Sequence, residues 1–194
     1  MRAINYYWVR NDAGGQHPQI VQLNRTPGWG LNVFYESEEE LASRGADRFD
    51  TRRYQLAFKR ASGSFASTDF VYFNPSVLTC GRDKFSFFSE VVSGHCVEYP
   101  LLIGLEPYIS FRPSEHFDIL DRDKSIFSES SSGTLHNFKK LIISSPPRDD
   151  TDFFGVMGAG GKPTMQIVVS DAFKEIYDSN RMAGLLFDVA LRSN

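Results

Sequence analysis

The stretch FFGVMGAGGKPTMQ, residues 153–166, is where residue types most suggest chemistry, because an apolar run opens into glycines and a lysine. A phosphate-binding loop needs GxxxxGK, then Ser or Thr, then a helix whose amides and dipole hold the phosphates. Counting back from Lys162, the place of the first glycine is taken by Val156; Pro163 follows the lysine, and TMQIVVS beyond it is β-branched and apolar. The dinucleotide pattern GxGxxG also breaks: Gly158 and Gly160 supply its first pair, and Pro163 stands where the last glycine belongs. The stretch reads as a hairpin, with FFGVM and TMQIVV joined by a turn whose glycines accept positive φ.

The four histidines, His17, His95, His116 and His136, have neither HxH nor HxxxH spacing, so no metal site and no other cofactor is expected. Cys80 and Cys96 form no CxxC pair and read as two reduced thiols. The neighbours His95 and Cys96 would make a nucleophilic pair only if the fold brought a third group to them. No GxSxG elbow occurs in the sequence. The acids of DILDRD, Asp118, Asp121 and Asp123, do not follow the EF-hand pattern, and Arg122 and Lys124 neutralise them; solvated charges and local ion pairs are the simpler reading. No catalytic residue is assigned, and an enzyme is not expected.

Two acidic clusters remain, Glu38-Glu39-Glu40 and the trio Asp149, Asp150 and Asp152. Each is either wet surface or a landing site whose charge speeds encounter with a basic partner. The candidate partner-binding residues are Glu38, Glu39, Asp149, Asp150 and Asp152, with Trp29 and Tyr35 as exposed aromatics.

The elements that must position these groups alternate irregularly. AINYYWV, IVQLN, LNVFYE and RRYQLAFKR read as strands, and SEEELASRGADRF as a helix with a Ser37–Glu40 capping box. ASGSFAST is a small-residue connector, which sets the expected units at 1–60, an N-terminal α+β lobe, and 66–194. DFVYFN reads as a strand, and RDKFSFFSEVV as a helix with Phe85, Phe88 and Val92 on one side. YPLLIGLEPYISF reads as broken strand because two prolines interrupt it. In EHFDILDRDKSIF, Phe117, Ile119 and Leu120 are expected to pack. SESSSGT, residues 128–134, reads as a mobile polar loop, and HNFKKLIIS as a strand. DAFKEIYDSNRMAG reads as a helix capped by Ser170 or Asp171 and ended by Gly184, and LLFDVAL as a last strand. The irregular order points to an α+β fold with a largely antiparallel sheet, a few helices and room for two small lobes.

The 194 residues carry a formal net charge of −3, which argues against nonspecific nucleic-acid binding. The 17 Phe, 8 Tyr and 2 Trp are enough to furnish both a core and a binding face. The first residues do not form a signal peptide and no stretch is long enough to span a membrane, so a cytoplasmic protein without membrane association is expected.

Three elements of the second half occur in an order that resembles a bacterial immunity family of polymorphic toxin systems, first catalogued as a domain of unknown function. They are Leu120-Asp121-Arg122-Asp123-Lys124-Ser125, in the manner of an LDRxxS element; Val169-Ser170-Asp171-Ala172-Phe173-Lys174, in the manner of a VSDxFK helix start; and Gly184-Leu185-Leu186-Phe187. The resemblance covers roughly residues 69 to 191. It implies a non-enzymatic antitoxin whose partner is a cognate toxin protein, bound so as to block its active site or lock an inactive shape. It assigns no residue a role, and LDRDKS is open to two readings: a structural corner in which Asp121 or Ser125 bonds to backbone, or a toxin contact. A small hydrolase or transferase using Cys96, or an adaptor that binds peptides along a strand edge, are the alternatives.

Overall fold

Apolar runs of alternating parity fold into two five-stranded sheets that share one aromatic core. The computed structural model describes residues 4–11, 19–22, 56–59, 68–71, 76–103, 105–131, 133–147 and 151–191. The first sheet has the order β12-β1-β11-β10-β7, formed by Leu185–Leu191, Tyr6–Asn11, Pro163–Ser170, Phe153–Met157 and His116–Phe117. The second has the order β2-β3-β5-β6-β4, formed by Gln19–Gln22, Leu56–Lys59, Cys96–Ile103, Glu106–Pro113 and Leu78–Gly81. Pairing is antiparallel except between β10 and β7 and between β3 and β5. A separate hairpin joins β8, Ile126–Glu129, to β9, Leu135–Lys140. With three short α-helices among the described residues, α1 at Arg82–Phe85, α2 at Ser89–Val92 and α3 at Asp171–Ser179, the fold is α+β and mostly antiparallel.

The first sheet is covered on both faces, which is why its strands read as near-continuous apolar runs. On one face Val9, Phe153, Ile167, Val169 and Leu185 meet Leu78, Cys80, Ile109 and Phe111 of the second sheet, with Phe85, Phe88, Phe173 and Tyr177 filling in from the helices. The rings of Phe111 and Phe153 span the two sheets at 5.5 Å, and Phe88 stacks on Phe173 at 4.4 Å. On the other face Tyr6, Trp8, Phe154, Val156 and Val168 lie under Leu141 and Ile143, with Phe117, Ile119 and Leu120 packed alongside as their sequence pattern implies.

The hairpin expected from FFGVMGAGGKPTMQ is present. β10 pairs with β11, Gly158 N–H donates to the Lys162 carbonyl at 2.7 Å, and Gly160 and Gly161 take positive φ. YPLLIGLEPYISF is likewise strand on both sides of a turn, β5 and β6. Other expectations need correction. RDKFSFFSEVV forms two single turns, α1 and α2, rather than one helix, although Phe85, Phe88 and Val92 are all buried. The described residues of SESSSGT are not a loose loop: Ser128 and Glu129 end β8, Ser130 N–H donates to Thr134 O, Thr134 N–H donates to Ser130 Oγ, and Gly133 has φ 79°. Helix α3 stops at Ser179, before Gly184. Met182 N–H donates to Tyr177 O, Arg181 N–H donates to Asp178 O, and Arg181 occupies the left-handed position at φ 50°, the hydrogen-bond pattern of a Schellman end. Gly184 has another task. At φ 108° it lies so close to Thr68 and Phe70 that a Cβ would come within 2.2 Å of the Phe70 carbonyl.

The expected unit 1–60 begins with Tyr6–Asn11, yet this strand is hydrogen-bonded between β11 and β12, strands of the expected unit 66–194. The parity of Tyr6 and Trp8 against Tyr7 and Val9 suits a strand with both faces covered, which this sheet supplies.

Candidate functional site

A cleft of about 160 Å³ lies between residues of the two sheets, lined by Ser76, Arg112, Pro113, His116 and residues 163–167. Its floor follows from strand register. His116, Gly155 and Ile167 stand in one row across β7, β10 and β11. Gly155 has no side chain, and the His116 ring lies over it; a Cβ on Gly155 would meet His116 Cδ2 at 2.1 Å. The backbone holds this arrangement, since Gly155 N–H donates to Glu115 O at 2.8 Å. An isolated glycine in an apolar strand marks such a close approach, so FFGVM carried the signal. His116, the group approaching it, comes from 39 residues earlier, and no local pattern links the two.

Arg112 reaches the cleft from the end of β6. Its Nε–H donates to Tyr99 Oη at 2.9 Å and its Nη1 donates to the Pro113 carbonyl at 3.2 Å. No carboxylate pairs with it among the described residues. Burial first, and then the Arg112 charge, hold the His116 imidazole below its ordinary value, so at neutral pH the positive charge of the cleft is the guanidinium alone. Other polar side chains at the cleft are engaged. Gln166 Oε1 accepts from Trp8 Nε1 at 2.9 Å, and Thr164 Oγ1 donates to Val156 O at 2.8 Å. A cleft this size falls below the roughly 300–1,000 Å³ of small-molecule sites and suits a single side chain or a small anion.

Of the partner-binding residues expected from sequence, Glu38, Glu39, Trp29, Tyr35, Asp149 and Asp150 lie outside the described residues. Asp152 is half-buried. Its Oδ1 accepts from the Ser170 hydroxyl and its carbonyl accepts from Ser170 N–H at 3.0 Å. It faces the start of α3, not the cleft.

Both cysteines are free. Burial, with Glu98 adding to it, pushes the Cys96 thiol up to about 11, and the buried Cys80 thiol is pushed higher still. The adjacent His95 places Nδ1 3.4 Å from Glu115 Oε2. Among the described residues no three metal-ligating side chains converge, and no helix is long and apolar enough to cross a membrane.

In sequence comparisons no family model and no curated protein matches the chain.

The elements that carry the family resemblance all have work within the fold. In LDRDKS, Asp121 Oδ1 accepts from Lys124 N–H at 3.1 Å, and Ser125 Oγ both accepts from Ile142 N–H at 2.9 Å and donates to Ile142 O at 3.2 Å. Asp121 Oδ2 also meets Lys124 Nζ at 3.0 Å, which holds its carboxyl below the usual range. These are the bonds of a structural corner. Ser170 caps α3 by accepting from Ala172 N–H at 3.1 Å, Phe173 is fully buried, and Gly184 admits the Phe70 backbone.

Proposed function

We propose that this chain is an immunity protein that neutralises a cognate bacterial toxin by direct binding, without chemistry of its own. The observation that carries the reading is the order of the three elements at 120–125, 169–174 and 184–187, each of which shapes a corner, a cap or a close approach. A scaffold signature of that kind leaves the exposed surface free to match one partner, as specificity requires. The thiols support a non-enzymatic reading over Cys96 chemistry. A nucleophilic cysteine is activated by a lowered pKa, and both of these are raised.

The test is affinity capture from a lysate of the source organism, followed by a high-salt wash and mass spectrometry. A single dominant partner carrying a toxin domain, whose toxicity is suppressed by co-expression of this chain, is the expected result. A scatter of weak partners, or one dominant partner whose activity is unaffected, would overturn the reading. Charge reversal to locate the interface belongs at Asp149 and Asp150. At Asp152 it would disturb the bond to Ser170 and confuse folding with binding.

A further inference from the structure

We propose that the cleft between the sheets is a carboxylate socket, in which Arg112 binds the acid group and the apolar wall receives the short stem that carries it. The inference stands on the cleft and not on the antitoxin reading.

The first observation is an unpaired charge. A guanidinium has five N–H donors and does not lose its proton in a protein. Two of Arg112's donors go to Tyr99 and Pro113. Among the described residues the rest have no partner, although the side chain is half-buried at the cleft. Withdrawing a permanent charge from water without a counter-ion is unfavourable, and a carboxylate is the acceptor whose geometry matches the free donors. Glu115, the nearest acid in sequence on this segment, turns its carboxylate toward His95 instead.

Shape is the second observation. The apolar lining of the cleft is Pro113, Pro163, Met165 and Ile167, and Met165 is 45% exposed although it shares the parity of Ile167 on β11. Such a wall accepts methylene groups. His116, seated against Gly155 and kept neutral by burial, closes the row without adding charge. One positive charge beside an apolar wall suits a monovalent acid on one or two methylenes. A phosphate dianion would call for several convergent donors, such as the amides of a helix start.

Two sources share this chemistry, an acidic side chain of another protein and a free short-chain carboxylate. Full-length protein would be titrated with N-acetyl-glutamate methylamide, its glutamine counterpart, propionate and inorganic phosphate, following the Arg112 Nε–H and His116 ring signals by NMR. The expected result is a saturable shift of both signals, with the glutamate compound binding roughly tenfold more tightly than the glutamine compound, a ratio that corresponds to about 1.4 kcal/mol. R112Q should abolish that preference, and R112K should keep part of it. Tighter binding of the glutamate compound than of propionate assigns the socket to a protein side chain, and the reverse assigns it to a free acid. Equal binding of glutamate and glutamine compounds, tighter binding of phosphate, or no saturable shift overturns the proposal. Should R112Q fail to fold, the wild-type comparison decides alone. The titration reports on the cleft whether or not a toxin partner is found, so the two failures are distinguishable.

Discussion

Gly155 and Arg181 sit at opposite ends of the same constraint. Gly155 is required because a neighbouring ring occupies the space of a side chain. Arg181 is a side chain where the backbone favours none, at φ 50° in the left-handed end of α3. An L-residue there costs about 1–2 kcal/mol, partly offset when glycine replaces it by the greater freedom of the unfolded chain. Arg181→Gly is therefore expected to stabilise the protein by about 1 kcal/mol and raise Tm by roughly 2–4 °C; an unchanged or lowered melting temperature would count against that account. The cleft histidine gives a second residue-level expectation. Its folded pKa lies below the ordinary 6.5 through burial and Arg112, so the unfolded chain binds the proton first. The stabilisation is complete above pH 6.5 and is lost as pH falls through that value toward the folded pKa. Urea unfolding between pH 7.5 and 5.5 should show stability falling with pH, by no more than about 1.4 kcal/mol per unit and by less in proportion to the ring's remaining exposure. His116→Gln should flatten that slope. Sequence reading singled out neither His116 nor Arg112, since each matters through a neighbour on another strand.

At the scale of elements, local rules located most strands, the glycine hairpin and the Ser170 cap, because alternation, turn residues and capping act within a few positions. They failed where a longer-range contact decides. Helix α3 ends early because Asn180 and Arg181 close it while residues 182–184 are held by the other chain segment: Asp69 and Phe70 N–H groups both donate to Ala183 O, and Asp69 Oδ2 accepts from Ala183 N–H at 2.9 Å. Asp171 shows the same from the helix start. It reads as a cap candidate, but Ser170 does the capping, and Asp171 accepts from Asn5 N–H at 2.8 Å, Asn5 Nδ2 at 3.0 Å and Tyr7 Oη at 3.0 Å. This one carboxylate fastens the entry of β1 to the helix. Hydrogen bonds to a charged group contribute about 1.5–3 kcal/mol, so Asp171→Ala is expected to lower stability by roughly 2–4 kcal/mol, with Asp171→Asn losing less because it keeps one acceptor oxygen. Denaturation midpoints measure this, and a loss under about 0.5 kcal/mol, ordinary for a surface change, would show that the helix and β1 are held by packing alone.

On the scale of the whole molecule, the sequence made the α+β class legible, because irregular strand order and short helices leave few alternatives. Strand order was not legible. A period of two says which residues share a face and nothing about which strand lies beside which, so a small-residue connector after residue 60 stood as a boundary. Between β11 and β12, β1 completes a sheet whose other members lie more than 100 residues away. It also buries Tyr6, Trp8 and Val9, the last in the core shared with the second sheet. Residues 66–194 alone would leave the inner edges of β11 and β12 unpaired and lose a fully buried indole, a change that by itself costs about 3–5 kcal/mol when Trp is cut to Ala. That loss approaches the 5–15 kcal/mol by which whole proteins are stable. The fragment 66–194 is therefore expected to lack amide dispersion and a cooperative melt, and to aggregate through its exposed strand edges, while the full chain shows both. A dispersed spectrum and a two-state melt for 66–194 would mean that β12 pairs directly with β11 when β1 is absent, and that the first strand is an addition to an independent domain.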